Sequence, residues 1–212
     1  MKNRIITLFL SAVLLLCGCN SDKGDIDIMR AVELNNCSVH SVEFENPLSD
    51  SNADIFRELL KNGSLTPVEA DNTVGENGEY LEFYDENESY KLSIRTGENG
   101  EEYIYAVSGN TGSFFSMDKD SMENFSSELN WFAPKAFYGV IDTHISDNLY
   151  IVRPDDDTNE IMSCDKIFVN SEIPFNEGDR VRVGYYGGIM ETYPGQINQL
   201  FIKGGSTVTE TP

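Results

Sequence analysis

The chain has 212 residues and a formal charge of -21, from 36 acidic and 15 basic side chains. So acidic a surface repels phosphate backbones and anionic headgroups, which argues against nucleic acid as a partner and against a basic patch as a membrane anchor. Ten Tyr and twelve Phe within 40% apolar residues mark a folded chain, long enough for one large domain or two small ones.

Lys2 and Arg4 open the chain, and Ile5 to Leu16 is then apolar except for Thr7 and Ser11. That run is too short to span a bilayer as a mature helix and has the layout of a secretory signal. It ends in Leu16-Cys17-Gly18-Cys19, which resembles the bacterial lipobox. The resemblance implies that the Cys19 thiol receives a diacylglyceryl group and that the chain is cut just before it. Cys17 is the competing position, but it follows Leu16, where the cleavage enzyme takes a small residue. Residues 1–18 are therefore expected to be a lipoprotein signal peptide and 19–25 a tether. Removing Lys2 and Arg4 takes the charge from -21 to -23. Two acyl chains gain about 0.8 kcal/mol per buried methylene and hold a protein stably. The five residues from Ser21 to Asp25 reach at most roughly 18 Å, so the folded part stays close to the membrane.

Residues 26–133 read as an antiparallel α+β domain. Ile26, Ile28, Val32 and Leu34 suggest a strand, and Val39 to Phe44 a second, with Asn35-Asn36 as the turn between them. Ser51 can cap a helix, with Asp54 as its capping-box partner. Ile55, Phe56, Leu59 and Leu60 form its stripe, and Gly63 ends it. From Gly75 the period is two: Leu81 and Phe83, then Tyr90, Leu92 and Ile94, then Tyr103, Tyr105 and Val107. The peptide Gly-Glu-Asn-Gly-Glu occurs at 75–79 and again at 97–101. Its Asn-Gly is a hairpin signal, so both copies are expected to be turns of a meander. Gly112 to Met117 suits an edge strand. A second helix is predicted from Asp118 to Phe132 on Met122, Phe125, Leu129 and Phe132, with Trp131 near its end and Pro134 closing it. The expectation for this half is a few-stranded antiparallel sheet with two packed helices.

Residues 134–205 carry five strand-like segments: Phe137–Ile145, Leu149–Arg153, Lys166–Val169, Arg180–Tyr186 and Gln199–Lys203. Five short strands in so little chain suit a small closed barrel of the OB type, with Gly139 and Gly184 at its corners. The helix usual between the third and fourth OB strands has little room between Asn170 and Glu177, which contains Pro174. Residues 206–212 are a tail. Phe137-Tyr138-Gly139-Val140-Ile141, Asp165-Lys166-Ile167, Gly178 to Gly187 and Glu191-Thr192-Tyr193-Pro194-Gly195-Gln196-Ile197 together resemble a small exported domain family common in Gram-positive lipoproteins. That family has no known function, so the resemblance implies a fold and no activity.

Candidate sites are few. Asp155, Asp157 and Asn159 match the first, third and fifth places of an EF-hand loop, but Glu160 stands where Gly is needed and Lys166 where a bidentate Glu is needed. A solvated turn is the expectation, with a looser calcium site as the alternative, and no metal-binding residue is assigned. His40 and His144 are the only histidines. The chain has no His-Glu-x-x-His, no Gly-x-Ser-x-Gly and no phosphate-binding Gly loop, and no cofactor is expected. Tyr185, Tyr186 and Tyr193 are the aromatics that could stack a sugar or a base on an OB face, against the alternative that they pack the barrel. Cys37 and Cys164 could form a disulfide in an exported protein or remain two partly buried thiols.

The expected function is that of a non-catalytic, lipid-anchored cell-envelope protein. It would be a monomer on the outer face of the cytoplasmic membrane, held by the anchor on Cys19, with binding modules for an envelope protein, peptide or glycan. The alternative is an enzyme modifying envelope polymers with carboxylates as acid and base. An OB protein binding nucleic acid is opposed by charge.

Overall fold

The computed structural model describes residues 26–69, 73–76, 78–155, 164–190 and 192–204. Among these the fold is mainly β, with three helices and two sheets. This corrects the α+β expectation. The first half is built on an eight-stranded antiparallel sheet, not on a few strands carrying two helices.

The strands of that sheet are β1 (Asn36–His40), β2 (Glu45–Pro47), β3 (Thr66–Val68), β4 (Thr73–Glu76), β5 (Tyr80–Tyr84), β6 (Ser89–Gly97), β7 (Glu102–Ser108) and β8 (Thr111–Ser116). They run in the order β2-β1-β5-β6-β7-β8-β3, and β4 pairs with the far part of β6. The short strands β2, β3 and β4 lack a readable alternation. They are strands because a neighbour supplies the ladder, which is a property of tertiary pairing and not of their own residues.

Two other expectations are corrected here. Ile26–Leu34 is not a strand but contains a short helix, α1 (Ile28–Ala31), capped by Asp27, whose carboxylate accepts from the Met29 N–H at 3.1 Å. Ile28, Ala31 and Val32 are all buried. Their spacing of three and four fits a helical turn as well as the strand alternation did. The predicted strand Val39–Phe44 breaks after His40. The Ser41 N–H donates to the Phe44 carbonyl at 2.8 Å, and Val42 at the tip is 88% exposed.

The two longer helices form on their own signals. In α2 (Asp50–Asn62) the cap is Ser49, two residues earlier than the sequence suggests, and Asp54 pairs with Arg57 at 2.8 Å instead of closing a capping box. Ala53, Phe56 and Leu60 are buried. Helix α3 (Lys119–Phe132) starts at Asp118, whose carboxylate accepts from the Ser121 N–H at 3.0 Å, and buries Met122, Phe125, Leu129 and Phe132. The helices meet through Phe56, whose ring lies edge-on to Phe125 at 5.5 Å and tilted to Phe132 at 6.0 Å. Both cover one face of the sheet, against Val39, Leu81, Phe83, Leu92, Ile94 and Ile104. Asn46, 2% exposed, ties β2 to the end of α3 by donating to the Phe132 carbonyl at 2.7 Å.

The second half is a five-stranded antiparallel sheet of β9 (Lys135–Ser146), β10 (Leu149–Pro154), β11 (Ile167–Asn170), β12 (Arg180–Met190) and β13 (Gln196–Gly204), in the order β11-β10-β9-β12-β13. It curls into a nearly closed barrel. Where β13 returns beside β11, Ile167 bridges Gly195 in parallel, and the Gln199 amide bonds both the N–H and the carbonyl of Asn170, at 2.7 and 2.6 Å. One side chain thus satisfies an edge that no ladder reaches. The core is Phe137, Ile141, Tyr150, Val152, Val181 and Val183 with their neighbours. The segment between β11 and β12 contains no helix.

Candidate functional site

Among the described residues, helices cover one face of the large sheet and not the other. Strand alternation sets what the open face displays. Leu81, Phe83, Leu92, Ile94, Ile104 and Ala106 turn inward, so Tyr80, Glu82, Lys91, Ser93, Arg95, Tyr103, Tyr105 and Val107 turn outward. Cross-strand register places Glu82 opposite Lys91, Ser93 opposite Tyr105 and Lys91 opposite Val107. Between them lies a recess of about 400 Å³, with Tyr80, Lys91, Ser93, Arg95 and Tyr105 among its lining residues and Val42 among those around it. That is the volume of a small-ligand pocket.

The recess is aromatic and cationic at once. Lys91 Nζ lies 5.1 Å from the Tyr80 ring centre, and the Arg95 guanidinium 5.2 Å from that of Tyr105. Each ring has a second neighbour: His40 stacks on Tyr80 at 4.6 Å, and Phe114 tilts against Tyr105 at 4.5 Å. Such contacts hold the cations and rings in place at about 0.5–1 kcal/mol each. His40 Nε2 is 3.1 Å from a Glu82 oxygen, though its N–H is not aimed to form a hydrogen bond. The arrangement can hold a ligand by ring contact and hydrogen bonding, and among the described residues the His40 ring meets Glu82 and Tyr80, neither of them a Ser, Thr or Cys nucleophile. His144 likewise stacks on Tyr150, at 4.7 Å.

A larger recess of about 620 Å³ lies at the start of α3, lined by Glu101, Tyr103, Lys119 and Glu123 among others. Four of its polar groups pair with one another: the Tyr103 hydroxyl donates to Glu101 at 2.7 Å, and Lys119 pairs with Glu123 at 3.5 Å. The Tyr103 hydroxyl and the Asn99 side chain hold the Glu101 carboxyl below its ordinary range.

The three tyrosines singled out from sequence do not come together. Tyr185 is 3% exposed inside the barrel, edge-on to Phe137 at 6.0 Å. Tyr186 points out of the barrel and packs against Phe132 of the first half at 5.8 Å. Only Tyr193, 74% exposed, faces water. Adjacent residues of one strand face opposite ways, which separates the first two. Cys19 lies outside the described residues, as do residues 156–160 of the acidic loop. Asp155 is described, and its carboxylate pairs with Arg180 at 2.5 Å. Among the described residues no group of three or more His, Cys, Asp or Glu could hold a metal ion, and no helix is long and apolar enough to cross a membrane. Cys37 and Cys164 are free thiols, and burial pushes the Cys37 thiol up to about 12.

The halves meet along a seam. Arg182 on β12 pairs with Glu43 from the β1–β2 hairpin and stacks 4.6 Å from the Phe44 ring, while Phe44 packs on Phe201 at 5.0 Å. Sequence reasoning gave no role to Lys91 or Arg95, nor to Glu43, Arg182 and Phe201 of the seam. The alternation that aims Lys91 and Arg95 outward was readable, but not which face the helices leave bare.

Compared with known proteins, the chain matches no family model, no curated protein and no solved structure.

Proposed function

We propose that this chain is a lipid-anchored cell-envelope protein whose folded part serves as non-catalytic binding modules. It would be held on the outer face of the cytoplasmic membrane by a diacylglyceryl group on Cys19. The anchor rests on Leu16-Cys17-Gly18-Cys19 behind a short basic and apolar run. The observation that favours binding over chemistry is the open face of the large sheet, where Tyr80 and Tyr105 with Lys91 and Arg95 line one recess. In the second half, β13 returns parallel to β11 to close the order β9-β10-β11-β13-β12. That order supports an OB-like reading of the barrel, a scaffold that carries binding surfaces on many unrelated proteins.

The test is Cys19→Ala expressed in its own cell type. The parent is expected in the membrane fraction with the mass of the acyl chains, and the variant is expected to leave that fraction and lack that mass. Membrane retention of the variant with an unchanged mass overturns the anchor. For the module, Tyr80→Ala with Tyr105→Ala should abolish whatever crosslinks to the parent on intact cells, at a cost of about 2–4 kcal/mol in stability from four lost ring contacts, and leave the circular dichroism of the folded chain unchanged. An unchanged crosslinking pattern removes the recess from the account.

A further inference from the structure

Trp131 is the only tryptophan of the chain. It sits in the last turn of α3 and is 50% exposed, while Phe132 beside it is 5% exposed. Its ring rests on two successive glycines of β12. A Cβ at Gly187 would lie 3.0 Å from Cζ2 and 3.1 Å from Cε2, and one at Gly188 would lie 3.6 Å from Cη2 and Cζ3. Gly187 has φ +71°, a conformation that favours glycine. The backbone therefore supports one part of the indole at close range, and the rest stands in water.

Hydrogen-bonding residues flank the tryptophan in space and along its helix. Asn198, exposed and opposite Tyr186 across the β12–β13 ladder, has its Nδ2 3.3 Å from that same Gly187 Cβ position. Ser127 and Glu128 lie four and three residues before Trp131 on α3, which puts them on the same helix face. A rigid ring half in water, with an amide beside its glycine support and a hydroxyl and a carboxylate on its own face of the helix, matches a pyranose: its C–H face is apolar and its rim is all hydroxyl. Tryptophan offers such a face a large contact with little rotamer entropy to lose. Asn198 can donate and accept, and Glu128 can accept. The net charge of -21 disfavours an acidic sugar.

We propose that Trp131, Asn198 and Glu128 form a subsite that stacks and hydrogen-bonds a neutral pyranose ring of a glycan. The subsite rests on the binding-module reading, but not on the anchor and not on the sheet recess.

The lone tryptophan reports directly on its own surface. The mature chain with Cys19→Ala is titrated with a neutral hexose hexamer, and a saturable blue shift of the fluorescence is expected. Asn198→Ala should weaken it about tenfold, the loss of one good polar contact. Calorimetry should show binding lost in Trp131→Ala, reduced in Trp131→Phe, which keeps a ring on the glycines, and unchanged in Tyr193→Ala. No saturable shift up to about 10 mM, a Kd too weak to matter, overturns the proposal, as does full binding by Trp131→Ala with unchanged circular dichroism. A saturable shift with polylysine and none with the hexamer makes the surface a protein contact and also overturns it. Sugar binding lost in Tyr105→Ala but kept in Trp131→Ala moves the ligand to the sheet face: the subsite fails and the module reading stands.

Discussion

Gly139→Ala is expected to damage the barrel more than the same methyl added at Gly184. Gly139 is buried on β9, opposite Pro154 of β10. An added Cβ would stand 2.6 Å from the Arg153 carbonyl oxygen and 2.7 Å from Val152 Cγ1. The first obstacle is backbone, held in the β9–β10 ladder, so it cannot swing aside. Overpacking costs about 1–3 kcal/mol, and an immovable neighbour puts this case near 3. At about 2–4 °C per kcal/mol for a chain of this size, Tm should fall by roughly 6–12 °C. Gly184→Ala is the control. Its Cβ would meet the half-buried Phe201 ring, a side chain that can shift where a ladder carbonyl cannot, at the cost of its contacts with Phe44 and Lys203. About 1 kcal/mol is expected there. Urea unfolding followed by circular dichroism measures both. A Gly139→Ala chain within about 0.5 kcal/mol of the parent, or a Gly184→Ala chain that is the less stable of the two, refutes the reasoning.

Two further predictions concern titrating groups. Burial puts the Cys37 thiol at about 12, while Cys164 is half-buried with its Sγ 3.1 Å from the Lys166 carbonyl. Iodoacetamide at pH 8 should therefore label Cys164 in the folded chain and Cys37 only in denaturant, since the thiolate is the reactive form; equal labelling of both without denaturant contradicts the burial of Cys37. Asp118 caps α3, and the Ser121 backbone N–H holds its carboxyl below the usual aspartate range. A folded pKa below the unfolded value of about 3.9 means stability that is present above that pH and lost as pH falls through the folded value. Asp118→Asn should keep the cap and flatten the fall in urea midpoint below about pH 4. An acid limb identical to that of the parent removes Asp118 from it.

Elements whose residues signal their own structure were legible from sequence. The period of α3 and its Asp118 start, the alternation of β5, β6 and β7, and the five barrel strands all come from contacts close in sequence. The peptide Gly-Glu-Asn-Gly-Glu shows where that legibility ends. At 97–101 it is the β6–β7 turn, with Gly100 at φ +83° and Asn99 accepting from the Glu101 N–H at 3.1 Å. At 75–79 the same peptide places Gly75 and Glu76 in β4, paired with β6. Identical local chemistry met two different neighbours, and the neighbour decided.

The candidate sites divide in the same way. The lipid-anchor reading belongs to the sequence alone, because a lipobox is read as a linear peptide. Tyr185, Tyr186 and Tyr193 looked alike as residues, and the barrel sent one to its core, one to the seam and one to water. Lys91 and Arg95 carried no signal until helices beginning at Asp50 and Lys119 covered the opposite face of the sheet. The sequence by itself determined which residues alternate, which turn and which cap, since those choices depend on neighbours within a few residues. Tertiary structure decided which face stays bare, which short segments become strands, and why Trp131 rests on two glycines more than fifty residues away. Those outcomes depend on what packs where, and no local pattern carries that information.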